Sequence, residues 1–187
     1  KSIVDAASTG AQFLVNSFGI NDIQTLASGA SQATIDGVVN TALANIIAIL
    51  KKQKANGIWP ITHSLLGYNL NTATAGQIAT RQAASRQLNT AIGSAITANP
   101  ELGSWVDVYS LVTTSSGAWI SGLDDGLGLH PGANGCKIIY AAVVEEMLRV
   151  AGISALPKYA YGLQTNLFTN PDFSASASGT ATGLSVS

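Results

Sequence analysis

The chain reads as an α/β protein, a three-layer α/β/α sandwich built on a parallel sheet, and three observations lead there. Short apolar runs alternate with long stretches of helical periodicity, three times over, in the order strand, helix, strand, helix, strand, helix. A polar segment rich in Gly, Asn, Ser or Asp follows each apolar run, where the carboxyl end of a parallel strand opens toward ligand. At 187 residues, the chain is long enough to bury one core.

The first strand is Phe13-Leu-Val-Asn-Ser-Phe18, a short apolar run that stops at Gly19. Residues 34–56 form the first helix, with Ile35, Val38, Val39, Ala42, Ile46, Ile49 and Leu50 at helical spacing. Thr34 is the expected N-cap, Asp36 lies in the first turn, and Lys51, Lys52 and Lys54 complement the dipole before Asn56-Gly57 ends the helix. Residues 57–63 give the second strand, in which Pro60 lacks a ladder donor and points to an edge or bulge. Residues 65–75 form a polar loop long enough to line a cleft. The second helix covers 77–98, with Ile78, Ala84, Leu88, Ile92 and Ile96 on its inner face and Asn99-Pro100 as its stop. Alternation over 105–112 predicts the third strand, and 113–128 a Gly, Ser and Asp-rich loop. The third helix runs from Pro131 to Val150, with Ile138, Ile139, Ala142, Val143 and Met147 turned inward.

Composition narrows the function. Only 10% of residues are charged and the net charge is −1, against roughly 25% charged in an average domain. The surface is therefore built from small polar residues, a composition that suits a secreted or virion-associated protein. No basic stripe exists to neutralise a phosphate backbone, so nucleic acid is not an expected partner. The single cysteine, Cys136, excludes an internal disulfide, and no Cys/His spacing suits a metal, so neither metal nor other cofactor is expected. The most apolar stretch, 42–50, is shorter than the ~20 residues that span a bilayer and reads as core rather than membrane helix.

Two segments carry chemistry. Asn21, just past the first strand in Gly19-Ile20-Asn21-Asp22, can aim a side-chain amide at an oxyanion, and His130, at a loop-to-helix junction, can serve as a general base. Asp22 after Asn21 also fits an ordinary Asx turn. His63, at a strand end, reads first as a packing residue and second as a substrate contact. Trp59, Trp105 and Trp119 read as core or loop-pinning residues, with Trp119 near enough to the last loop to contact a sugar ring.

Gly19-Ile20-Asn21-Asp22 resembles the third sequence block of the SGNH (GDSL-type) hydrolases, and Asp125-Gly-Leu-Gly-Leu-His130-Pro-Gly-Ala-Asn-Gly135 is similar to their fifth. The likeness covers residues 11–152 and implies an SGNH/flavodoxin-like fold and a serine-esterase mechanism. It implies Asn21 as oxyanion donor, Gly19 and Asp22 as shapers of the turn that holds it and His130 as base. The acid that normally stands three residues before the histidine is replaced by Leu127, which leaves Asp125, Asp124 or a backbone carbonyl to orient the ring. Only eighteen residues precede Gly19, too few for the family's first helix and second strand, so the nucleophilic serine is expected upstream; Ser8, with Gly10 as second-block glycine, is the alternative within the chain.

Residues 1–156 are thus expected to form an SGNH-like domain lacking its amino-terminal part. Residues 157–187 form a linker or the start of a β-sandwich module, because Asn166-Leu-Phe-Thr-Asn-Pro-Asp-Phe173 is similar to the opening strand of modules in phage tail fibres and tailspikes. The expected substrate is an ester-bearing carbohydrate, and the expected protein partners are further copies or further domains of the same polypeptide. A non-catalytic carbohydrate-binding or structural component is the rival reading, and an unrelated flavodoxin-like domain the third.

Overall fold

A computed structural model describes residues 10–152. The chain divides into two compact units, Lys1–Met147 and Leu148–Ser187. Ser8, the 157–187 segment and its tail-fibre-like stretch lie outside the described residues.

The first unit is an α/β structure on a three-stranded sheet, all parallel, in the order β1 (Phe13–Asn16), β2 (Trp59–His63), β3 (Ser104–Val106). Parallel pairing needs crossovers, and two long helices supply them. α2 (Gln32–Ala55) links β1 to β2 after a five-residue helix, α1 (Ile20–Gln24), and α3 (Ala75–Ala98) links β2 to a 3-10 turn, Pro100–Leu102, and β3. A one-turn helix, α4 (Tyr109–Val112), and α5 (Ala133–Val150) follow. The main core is made by Ile23 and Leu26 from the α1 region, Ile35, Val39, Ala42, Ile46 and Leu50 from α2, and Ala84, Leu88, Ile92 and Ile96 from α3.

Local chemistry sets the boundaries. The α2 cap is Ser31 rather than Thr34: the Ser31 hydroxyl accepts from Thr34 N at 3.2 Å, so Thr34 already lies inside the helix. α3 begins two residues before Gln77 because Thr74 and Gln77 form a reciprocal capping box. Long and apolar enough by composition alone to cross a membrane, α2 nonetheless buries Ile35, Val39, Ala42, Ile46, Leu50 and Gln53 along one side.

Pro60 is not at an edge: β2 is central among the three strands. Its carbonyl lies beside Gly103, where a Cβ would come within 2.4 Å of it, so the missing N–H faces that same side, just before the β3 ladder starts at Ile61 and Ser104. No ladder bond is lost there. The third strand is also shorter than expected. Residues 107–112 turn away because the Asp107 carboxylate accepts from Tyr109 N and Ser110 N, while the Ser64 hydroxyl accepts from Val108 N at 2.9 Å and Tyr109 N at 2.7 Å. In α5 only Gly135 and Val143 are buried; Ile138, Ile139, Ala142 and Met147, expected inside, are half-buried.

Candidate functional site

Gly19 sits at the carboxyl end of β1 with φ +107, ψ −14, and its carbonyl accepts from Ile23 N to start α1. A Cβ there would lie 2.6 Å from Leu88 Cδ2 on α3 and 3.5 Å from Leu65 Cδ1 after β2. Glycine is required both by the backbone angle and by this close approach. The turn that follows places Asn21 as the second residue of α1, exposed, its side-chain amide without a hydrogen-bond partner among the described residues.

His130 comes from the loop after α4. Its carbonyl accepts from Asp125 N at 3.0 Å, and Asp124 and Pro131 form an antiparallel bridge, so residues 124–131 close on themselves through the main chain. This loop is docked on the segment after β2: Asn69 N donates to Gly128 O at 2.8 Å and Asn71 N to Leu127 O at 3.1 Å. Gly128 has φ +80, and a Cβ on it would fall 2.0 Å from the Asn69 carbonyl oxygen. The His130 ring is exposed, and neither ring nitrogen has a partner among the described residues. Asp125 does not reach it by side chain; its Oδ1 accepts from Leu127 N at 2.9 Å, an Asx-type turn. Asp124 is half-buried and likewise has no side-chain bond to the ring.

His63 and Trp119 are placed differently from a ligand-presenting residue. His63 is 7% exposed at the end of the central strand, with its Nδ1 2.8 Å from Ser64 O. Burial lowers its pKa below the ordinary 6.5, opposed by that backbone bond. Trp119, also 7% exposed, forms an antiparallel bridge with Thr113 and packs against Gly67, whose Cβ would come within 3.0 Å of its Cγ. Its indole is a packing element under the loop and is not presented to a sugar ring.

Three polar features escape the sequence reading. Asn16 and Gln53 form a buried reciprocal amide pair, with Asn16 Nδ2 to Gln53 Oε1 at 2.9 Å and Gln53 Nε2 to Asn16 Oδ1 at 2.8 Å, joining β1 to α2. Asn89 of α3 accepts from Leu65 N and donates to Leu65 O. Ser64, fully buried, holds the turn after β3 as described above. A polar residue inside an apolar run is the only signal each of them leaves. Among the described residues no cluster of His, Cys, Asp or Glu could hold a metal ion.

The frame that carries these segments has known counterparts. It is the fold of the GDSL-like hydrolases. A protein described as an acylhydrolase from Bacteroides fragilis superposes with TM-score 0.63 at 20% identity, over 79% of this chain and 66% of its own. A GDSL-like lipase from Bacteroides thetaiotaomicron gives 0.62 at 20% identity over 79% and 67%. A catalytic mutant of an acetylxylan esterase from Geobacillus stearothermophilus gives 0.50 at 14% identity over 82% and 69%. The chain thus spans about two thirds of the length of these proteins. No protein-family model and no curated protein sequence matches it.

Proposed function

We propose that this chain is the carboxyl-terminal part of an SGNH-type serine esterase acting on small esters, namely O-acetyl groups of a polysaccharide. The observation that carries the reading is the Gly19 turn, which places Asn21 just beyond the carboxyl end of β1 in a fold shared with ester hydrolases. In the proposed reaction the nucleophile is a serine hydroxyl from outside the described residues, upstream or at Ser8. His130 takes its proton as the oxygen attacks the acyl carbonyl, and the Asn21 amide donates to the oxyanion so formed. His130 then protonates the departing sugar oxygen; water, deprotonated by the same ring, releases the acid and restores the serine.

The test uses the natural polypeptide extended upstream of Lys1 and an aryl acetate. His130→Ala is expected to lower kcat by about 10² to 10⁴-fold, and Asn21→Ala by about 10² to 10³-fold. Turnover unchanged in both variants overturns the assignment. That the His130 ring has no hydrogen-bond partner among the described residues favours a second reading, a non-catalytic carbohydrate-binding or structural component. An extended wild-type chain that binds glycan but releases no acid supports that one.

A further inference from the structure

A concave feature is lined by neither Asn21 nor His130. It is a groove of about 700 Å³ between α3 and the end of β3, lined among others by Trp105, Tyr109, Asp107, Arg86, Thr90 and Ser94. The volume lies within the range of small-molecule sites, about 300 to 1,000 Å³. None of its lining residues belongs to the candidate ester site.

Its construction is specific. Trp105 lies against α3 where Gly93 leaves room, since a Cβ at Gly93 would be 2.9 Å from the indole Nε1. The indole is only partly buried there, leaving aromatic surface in the groove. Tyr109 supplies a second ring, its hydroxyl tucked against Gly117. Asp107 spends Oδ1 on capping α4, and its Oδ2 has no partner among the described residues. Arg86 uses Nη1 on Ser116 O at 2.7 Å, leaving other guanidinium donors. Thr90 and Ser94, one helical turn apart on α3, are exposed along the wall; the Thr90 hydroxyl donates to Arg86 O at 3.0 Å and keeps its acceptor side.

We propose that this groove binds a neutral linear glycan. Aromatic rings give apolar surface for the C–H face of a sugar, while hydroxyls, a free carboxylate oxygen and guanidinium donors match the sugar's alternating donors and acceptors. A wholly apolar ligand would strip water from Asp107 and Arg86 without replacing their hydrogen bonds. A polyanion would meet one cation set beside one anion. The site is an accessory one, and it stands whether or not the chain hydrolyses esters.

The experiment is calorimetric titration of the full chain with xylotetraose and cellotetraose, alongside inorganic phosphate. Saturable binding of at least one glycan in the micromolar to millimolar range is expected, with none for phosphate. Ser94→Phe, at an exposed position, is expected to block the groove and weaken binding about tenfold or more. Trp105→Ala should do the same, and circular dichroism of both variants separates blocked binding from misfolding. Absence of binding by both glycans, binding unaltered in a folded Ser94→Phe, or binding of phosphate instead overturns the proposal. So does a concentration-dependent dimer that Ser94→Phe disrupts without glycan binding, which would make the groove a protein interface.

Discussion

Replacing Gly19 by alanine tests whether the turn bearing Asn21 is locked by both backbone and packing. The φ of +107 costs an L-residue about 1 to 2 kcal/mol. The new Cβ would also lie 2.6 Å from Leu88 Cδ2 and 3.5 to 3.6 Å from the Leu65 methyls. Leu88 is 0% exposed and packed among the core residues of α1, α2 and α3, so it cannot swing aside without disturbing them. Overpacking of this kind adds about 1 to 3 kcal/mol, for a total near 2 to 5 kcal/mol. Gly29 is the internal control: φ +68 and nothing within 4 Å of its virtual Cβ, so Gly29→Ala carries backbone strain alone. Urea unfolding of both variants with unchanged m-values should place Gly19→Ala about 1 to 3 kcal/mol below Gly29→Ala. Equal destabilisation of the two would refute the packing argument.

The Asn16 and Gln53 pair predicts strong coupling. Asn16→Leu or Gln53→Met alone orphans a buried amide at about 1 to 3 kcal/mol, and the double variant should cost less than the sum, a shortfall that a double-mutant cycle reads directly. His63 predicts an acid limb of stability. Its folded pKa lies below the ordinary 6.5 because of burial, so above that value both states are neutral and the full stability is present. As pH falls from there toward the folded pKa, the unfolded chain binds the proton first and stability declines; His63→Gln should flatten that decline, and an unchanged slope would remove His63 as its source. For the loop carrying His130, Asp125→Asn keeps an acceptor for Leu127 N while Asp125→Ala loses a bond worth about 0.5 to 1.5 kcal/mol. Hydrogen exchange at the Leu127 amide should be faster in the alanine variant only, and equal rates in the two would rule out the turn.

What could be read beforehand follows from what periodicity encodes. The three strands, the long helices and their order were legible because apolar spacing reports which face is buried. The end of the third strand was not, because its alternation continues through 107–112, a segment whose direction is set by hydrogen bonds from Val108 and Tyr109 to Ser64, 44 and 45 residues away in sequence. Pro60 misled for a related reason: a missing donor costs nothing where the neighbouring strand has not begun, and only the register with Ser104 reveals that. At the candidate site, Gly19, Asn21 and His130 announce themselves by motif. The burial of Trp119 does not, since it depends on Gly67, a residue with no pattern of its own.

α3 shows why a chain with so few charges can still hold its loops in place. Its inner face mixes Ala84, Leu88, Ile92 and Ile96 with polar residues that an apolar-stripe reading treats as outward. Those residues reach the loops beyond the strands. Arg81 donates to Leu26 O after α1 and to the Tyr68 hydroxyl, and Gln82 donates to Tyr68 O. Asn89 holds both main-chain groups of Leu65, and Arg86 reaches Ser116 O in the loop that follows α4. One rigid helix thus bonds to a segment beyond each of the three strands, and through Tyr68 N to Gly117 O and Asn69 N to Gly128 O the restraint passes to the loop carrying His130. The Gln82 and Asn89 bonds are buried, where solvent is excluded and they keep their strength and depend little on salt. Loop order in this protein therefore follows from a polar helix face, which also forms one wall of the aromatic groove beside β3.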